Sequence, residues 1–286
     1  MTRARAPSRS TYAVLALPVA MLTIFFLGPF VAMLATSFYH RIPGGFYETA
    51  FVSANYMRLV SEVFLERTAF SLGVSLLAAG ICVAIGFPFT YFLTRMRRRL
   101  HVTLLVLILS SLSLSEVIVG FSWTVLLGRA SGISNILVWL GLMEEARAYA
   151  PGFWAVMLGL SYIAFPFCVL TLYPPLTRLD PEITEAAQTL GASPWRTFRT
   201  VVIPIGRPSI VAAFLLAFIF TLGSYLIAAI LGRPEHWTLS VFISDQATFN
   251  ANVPFAAAMA MFLTVVSLGL IAVVSVIESR TRGATS

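Results

Sequence analysis

The feature that most limits how this chain can fold is the spacing of its charged residues. Six long stretches contain no charged residue, except for Glu116 in the third. Their limits are Arg9–Arg41, Arg67–Arg95, Arg99–Arg129, Arg147–Arg178, Arg207–Arg233 and Asp245–Glu278. Each exceeds the roughly 20 residues, at about 1.5 Å per residue, that a hydrocarbon core of about 30 Å requires. The spacing therefore predicts six transmembrane helices, over about 12–37, 68–94, 102–128, 152–176, 208–232 and 254–277.

The composition excludes the other broad classes of protein. Of 286 residues, 58% are hydrophobic and 11% charged, whereas roughly a quarter of the residues in a soluble domain are charged. An aromatic content of 13% argues against intrinsic disorder. The two cysteines, Cys82 and Cys168, lie inside apolar stretches and do not suggest a disulfide-stabilised secreted domain. The sequence predicts an all-α integral membrane protein.

The positive residues orient the predicted helices. All 19 are arginine, and thirteen of them fall in the N-terminal tail, the 95–101 loop, the 177–207 loop and the C-terminal tail. The positive-inside rule then places both termini in the cytoplasm. Arg95, Arg97, Arg98 and Arg99 form a topology signal, and so short a run does not indicate nucleic-acid binding. The missing lysine excludes a P-loop and any Schiff base. We predict a multi-pass membrane protein in contact with lipid.

The cytoplasmic segment 177–207 has the signals of two short helices joined by a turn. Asp180, followed by proline and glutamate, is typical of a helix start. Gly191 is typical of a helix end. Ser193 and the proline after it predict a second helix, which Pro204 is expected to close. The first helix presents one face of small and apolar residues that suits docking into another protein, made of Ile183, Ala186, Ala187 and Leu190.

The same segment carries a motif. The pattern is three fixed residues, a spacer of three, a glycine, a spacer of nine, and an apolar-x-apolar-Pro ending. Its members here are Glu185, Ala186, Ala187, Gly191, Val201, Ile203 and Pro204. This resembles the EAA loop of bacterial ABC importer permeases, which lies between the fourth and fifth of six spans. The resemblance implies that these residues, Val201 aside, couple the chain to an ATPase. Gly191 would form the turn, and Glu185 would make a polar contact to a basic residue of the ATPase.

The resemblance extends over most of the chain. From Asn55 to about Glu278 the layout is similar to permeases of the spermidine/putrescine importer type, most clearly in the stretches 86–93 and 123–128. It implies the type I ABC importer permease fold. We expect an N-terminal tail, first helix and external loop over 1–66, a transmembrane domain over 67–278, and a cytoplasmic tail over 279–286.

The function that this resemblance implies is that of a permease subunit without catalytic residues or a cofactor. Two ATPase subunits would hydrolyse ATP, and a second permease, most often a different chain, would complete the pathway. A periplasmic or extracellular binding protein would deliver the solute. The resemblance favours a polyamine such as spermidine or putrescine, with another small solute as the alternative.

Glu116 is the one acidic residue at membrane depth, and three interpretations are open. It lines a cation path, it braces helices by hydrogen bonds to Ser113 or Ser115, or it lies at a shallow interface. The candidate residues of the translocation pathway are Glu116, Trp123, Tyr162, Ser224 and Tyr225. Aromatic rings suit a cation, whereas Ser224 stands where many of the polyamine permeases carry an acid.

Two other classes remain as alternatives. An ion-coupled secondary transporter or channel normally needs several buried ionisable groups, and this chain offers Glu116 alone. An integral membrane enzyme needs a cluster of acids or histidines at membrane depth, which the sequence does not contain. The three histidines, His40, His101 and His236, are scattered and have no metal-ligand spacing. No metal site is predicted.

Overall fold

The computed structural model describes residues 9–283 apart from residues 43, 46 and 131. Arg3 and Arg5, which contribute to the orientation prediction, lie outside these residues. Within the described part of the chain the regular structure is helical, and the one extended pairing is an isolated antiparallel bridge between His40 and Glu48. The prediction of an all-α chain is confirmed.

The described residues form fourteen α-helices, numbered in chain order. Their bounds are α1 Arg9–Leu22, α2 Gly28–Thr36, α3 Ala54–Met57, α4 Glu62–Leu93, α5 Arg98–Ser111, α6 Glu116–Leu126, α7 Ile133–Trp139, α8 Phe153–Thr177, α9 Pro181–Thr189, α10 Pro194–Thr197, α11 Ile203–Gly223, α12 Leu226–Leu231, α13 Leu239–Thr248 and α14 Val253–Gly283. A π turn, Thr23–Leu27, joins α1 to α2, and a second, Phe198–Val202, joins α10 to α11.

Five helical stretches in the described residues are long and apolar enough to cross a membrane. They are Ala16–Thr36, Glu62–Leu93, Phe153–Thr177, Pro194–Gly223 and Val253–Ala272. The bent pair α5 and α6 gives a sixth if it is taken as one span. The predicted spans over 12–37, 68–94, 152–176 and 254–277 are confirmed, whereas the third and fifth differ from the prediction.

The third predicted span, 102–128, is two helices instead of one. α5 and α6 meet at an angle of 99° across residues 112–115. Serine hydroxyls explain the break, because they compete for backbone hydrogen bonds. Ser110 and Ser111 donate to the carbonyls of Leu107 and Ile108 at 2.8 and 2.6 Å, and Ser115 caps α6. The length of the apolar stretch between Arg99 and Arg129 is enough for one span, and that length does not reveal the competing serine hydroxyls.

The fifth predicted span, 208–232, begins earlier and ends earlier. α11 starts at Ile203, and it stops at Gly223, after which Ser224 adopts an extended conformation with ψ 124°. The short helix α12 then follows at Leu226. Glycine is a poor helix former and serine favours helix ends, so the pair Gly223–Ser224 interrupts an otherwise apolar stretch.

The contacts of the chain divide it into two compact units, one of which comprises Glu62–Phe242 with the chain from Ser267 onward. In this unit α4, α8 and α11 pack against one another most extensively. Their buried faces are rich in small residues, which allow helices to approach closely. Fully buried examples are Ala78, Ala79, Ala155, Ala164, Ala213 and Ala217. At Gly159 the approach of α12 is so close that an added Cβ would lie 2.6 Å from Leu231 Cδ1.

The other unit comprises the chain up to Ser61 together with Ile243–Val266. Asn55 organises its first loop, because its buried side-chain amide donates to the carbonyls of Ser37 and Tyr39 at 3.0 and 2.9 Å. Arg41 donates to the carbonyl of Asn250 at 2.6 Å. The Arg41 bond ties the external loop predicted after the first span to the segment that precedes α14. The domain boundary predicted at 66/67 remains a prediction.

Candidate functional site

The helix start predicted at Asp180 is present in the structure. The Asp180 carboxylate accepts a hydrogen bond from the backbone N–H of Glu182 at 3.0 Å. Pro181 occupies the first position of α9, where its missing N–H costs no hydrogen bond. An acid in the first turn complements the helix dipole. The local sequence therefore fixes where α9 begins.

The turn after α9 is a Schellman motif centred on Gly191. The N–H of Gly191 donates to the carbonyl of Gln188 at 2.9 Å, and the N–H of Ala192 donates to that of Ala187 at 3.1 Å. Gly191 has φ +86°, a left-handed conformation that glycine adopts without strain. The predicted helix–glycine–helix geometry is confirmed, and residues 180–202 are called the elbow below.

The second half of the elbow differs from the prediction. α10 begins as predicted, with the Ser193 hydroxyl accepting from the N–H of Arg196 at 3.3 Å. The helix does not close at Pro204, because it runs through the π turn Phe198–Val202 into α11. Proline lacks an N–H, and its ring clashes with the carbonyl four residues earlier. That carbonyl lies in the wider π turn, so the helix continues.

The elbow has apolar side chains exposed on its surface. Leu190 is 89% exposed, Trp195 70% and Ile183 45%, and Glu185 and Ala186 are exposed beside them. Ala187 is half-buried, as are Ile203 and Pro204, which lie at the start of α11. Exposed apolar residues that are grouped together are typical of an interaction site. Trp195 was not predicted as part of this surface, although its position at a helix start was a usable signal.

Three of the five pathway residues lie together. Glu116 is the first residue of α6 and is half-buried. It lines a cavity of about 220 Å³ with Tyr162. The rings of Trp123 and Tyr162 meet edge to face with centroids 5.9 Å apart, and both line a second cavity of about 360 Å³. Tyr162 is thus shared between the carboxylate and the indole, an arrangement that can surround a cation.

The hydrogen bonds predicted for Glu116 as a helix brace are not formed. Among the described residues its carboxylate makes no hydrogen bond to Ser113 or Ser115, and the Ser115 hydroxyl accepts instead from the N–H of Val117 at 3.3 Å. The carboxylate therefore has room for another partner. Of the two other interpretations, a cation path and a shallow interface, the shared cavity favours the first.

Ser224 and Tyr225 lie elsewhere, at the break between α11 and α12. Ser224 is 6% exposed, and within the described residues its hydroxyl has no hydrogen-bond partner. Tyr225 is 39% exposed. Neither residue lines the two cavities that Tyr162 shares with Glu116 and Trp123. In the part of the chain that the structure describes, no group of three or more His, Cys, Asp or Glu side chains is placed to hold a metal.

Known proteins are similar to this chain in sequence and in fold. Residues 77–283 match the family model described as binding-protein-dependent transport system inner membrane component. The spermidine/putrescine transport system permease protein PotB of Escherichia coli is 30% identical over 258 residues, which cover 90% of this chain and 93% of PotB. The PotB of Salmonella typhimurium LT2 is 30% identical over 250 residues, which cover 87% and 86%.

Solved structures agree with the sequence relatives. A chain of a bacterial alginate ABC transporter, in complex with a periplasmic protein that holds an alginate pentasaccharide, superposes with a TM-score of 0.77 at 18% identity, over 94% of each chain. At that identity the likeness shows the fold, which is that of an ABC importer permease. The family match and the 30% identity to PotB together show that this chain belongs to the family of binding-protein-dependent transport system inner membrane components.

Proposed function

We propose that this permease imports a polyamine, or a related small cationic solute, with energy from ATP that a partner subunit hydrolyses. The observation that carries the ATP-driven part is the elbow. Its backbone is fixed by the Schellman turn at Gly191, and it exposes Leu190 and Trp195. A chain without lysine has no P-loop of its own. ATP must therefore be hydrolysed by a separate ATPase subunit that docks onto this chain.

The assembly that follows has two permeases and two ATPases in the inner membrane of a bacterium. The arginine pattern puts the elbow on the cytoplasmic side, where ATP is available. This chain supplies one half of the translocation pathway, and a second permease, a different chain, supplies the other. A periplasmic binding protein delivers the solute to the opposite side.

The residues proposed to meet the solute are Glu116, Trp123 and Tyr162. A carboxylate at membrane depth is costly without a positive partner, and the described residues supply no ion pair to the half-buried Glu116. A protonated amine that enters the cavity lined by Glu116 and Tyr162 provides that partner. The edge-to-face pair of Trp123 and Tyr162 offers aromatic surface beside it, which attracts cations further. The 30% identity to PotB supports a polyamine on independent grounds.

The coupling residues follow from the elbow. Gly191 sets the turn, while Glu185 and Ala186 lie on the exposed surface and Ala187 supports it from a half-buried position. Ile203 and Pro204 start α11 and connect the elbow to the membrane part. Ser224 and Tyr225, at the break after α11, are proposed to line the pathway farther along. The loss of helix there exposes backbone groups that a polar solute can contact.

The test is reconstitution with the partner ATPase, the second permease and the binding protein in proteoliposomes. We expect spermidine uptake that requires ATP on the side of the vesicle membrane where the ATPase is bound. Calorimetric titration of the binding protein with spermidine, putrescine and amino acids identifies the solute class. Uptake without ATP, driven by an ion gradient, would refute the proposal of an ATP-driven importer. ATP-driven uptake of another solute, with no polyamine bound by the binding protein, would refute only the assignment of a polyamine as substrate.

A further inference from the structure

The second half of the elbow is joined to α4 by a cluster of aromatic rings centred on Phe198. Phe198 is the first residue of the π turn and is 6% exposed. Its ring centroid lies 5.2 Å from that of Tyr91, 5.8 Å from those of Phe87 and Trp195, and 6.3 Å from that of Phe92. These rings come from two segments more than 100 residues apart in the sequence.

Both sides of this aromatic cluster are held in place. On the α4 side, the guanidinium of Arg95 stacks over the Tyr91 ring, 3.8 Å from its centroid. On the α11 side, Gly206 lies so close that an added Cβ would come within 2.7 Å of the Phe87 ring. Phe87, Tyr91 and Phe198 are therefore buried between α4 and α11, so that none of these three rings can move without displacing its neighbours. Phe92 and Trp195 lie at the exposed edge of the cluster.

The aromatic cluster also reaches the surface of the elbow. Trp195, one of the exposed residues proposed to contact the ATPase, stacks on Phe198 with the ring planes 23° apart. Trp195 is therefore in contact with Phe198, which in turn contacts Tyr91 and Phe87 of α4. α4 in turn packs along α8, which carries Tyr162 of the proposed pathway. Among the described residues of the elbow, Phe198 is the one whose ring contacts rings of α4.

We propose that Phe198 is a positioning residue that transmits movement of the elbow to α4. The inference rests on the proposed function, since it assumes that an ATPase moves the elbow. The π turn that begins at Phe198 is the joint between the elbow and α11, and π turns inside α-helices occur frequently at functional sites. The ring cluster keeps the elbow and α4 together across that joint, so that ATP-driven displacement reaches the membrane part.

The experiment measures solute transported per ATP hydrolysed by the reconstituted complex, with spermidine as the probe. We expect Phe198→Leu and Phe198→Ala to lower this ratio by about 5-fold or more, within the range of ordinary coupling energies, while ATP hydrolysis continues. Phe198→Tyr keeps the ring and should retain the wild-type ratio. The matched control is Phe218→Ala on α11, because Phe218 is buried to a similar extent, 5% exposed, and stacks on Phe214 away from the elbow.

A second readout needs no solute. Spin labels replace the exposed residues Ile85 of α4 and Arg199 of the elbow, in a chain without its two cysteines, and their separation is measured with and without ATP. The wild type should keep one narrow distance, whereas Phe198→Leu should broaden or shift it on ATP binding. This variant preserves apolar volume, so it serves where Phe198→Ala does not assemble; co-purification with the ATPase checks assembly.

The outcomes separate the two proposals. Wild-type transport ratios in Phe198→Leu and Phe198→Ala, together with a wild-type label distance in Phe198→Leu, would overturn the role of Phe198 and leave the proposed importer function intact. An equal loss of ratio in Phe218→Ala would also overturn it, because the effect would then be one of general packing. A wild-type complex that hydrolyses ATP without any uptake of spermidine bears on the substrate, and the label distances still decide the role of Phe198. No ATPase binding at all would refute the proposed function.

Discussion

Replacing Gly191 by alanine isolates the contribution of the elbow turn. Gly191 has φ +86°, and a Cβ added there would meet nothing within 4 Å. The substitution therefore introduces no steric clash with neighbouring side chains, and its cost is that of an L-residue in the left-handed region, about 1–2 kcal/mol. If the undocked alanine variant relaxes out of this turn and docking requires the turn again, the docked population falls by a factor of about 5–30.

The chain offers a matched control for this substitution. Gly141 also has positive φ, +73°, and open space around its missing Cβ, and its N–H donates to the carbonyl of Val138 at 2.9 Å. Gly141→Ala thus has nearly the same backbone cost but lies in the loop predicted on the external side. Gly191→Asn should be milder than Gly191→Ala, since asparagine tolerates the left-handed region.

The assay is ATP-driven uptake by proteoliposomes that contain equal amounts of assembled complex, with thermal unfolding measured in parallel. We expect Gly191→Ala to lose uptake about 5–30-fold, Gly141→Ala to transport normally, and both to show similar small decreases in stability. Gly191→Pro should lose more, because it also removes the N–H that bonds Gln188. Normal uptake by Gly191→Ala, or an equal loss in Gly141→Ala, would refute the assignment of coupling to this turn.

Three further substitutions test other parts of the molecule. Glu185→Arg, at an exposed position, should abolish ATP-driven uptake without lowering expression or membrane insertion; normal uptake would exclude a polar contact there. Gly206→Ala should destabilise the chain by about 1–3 kcal/mol, because its Cβ would lie 2.7 Å from the Phe87 ring, whereas Gly80→Ala, with nothing within 4 Å, should not lower the melting temperature. Glu116→Gln removes the charge and keeps the size, so uptake of a polyamine should fall about tenfold or more while binding-protein-stimulated ATP hydrolysis persists; unchanged uptake would leave Glu116 outside the cation path.

The sequence was sufficient for features that depend on neighbouring residues. Asp180 before a proline, and Gly191 after a helical stretch, each determine local backbone structure through their own side chain or lack of one. The structure confirms both. Charge spacing likewise located four spans, because the cost of a charge in hydrocarbon does not depend on the tertiary fold.

Features that depend on distant residues were not predictable in this way. The contact between Phe198 and Tyr91 joins segments far apart in the chain, and no period or spacing relates them. Pro204 gave a wrong prediction for a similar reason, because a proline ends a regular α-helix but not one that widens into a π turn. The sequence shows the proline, whereas the π turn before it, and the contacts of Phe198 with the rings of α4, are seen only in the structure.

The two breaks in the predicted spans lie beside residues of the proposed translocation pathway. In a membrane, backbone without helical hydrogen bonds is tolerated only where protein covers it or where it lines a water-filled cavity. Residues 112–115 are exposed on this chain and Ser224 is buried. The helices that follow these two breaks, α6 and α12, pack together closely enough that a Cβ on Gly120 would lie 2.9 Å from Ile230 Cδ1. Glu116 begins the first of these helices, and the unpartnered hydroxyl of Ser224 precedes the second. An apolar solute would need neither break, so we expect the solute to be polar even if it proves not to be a polyamine.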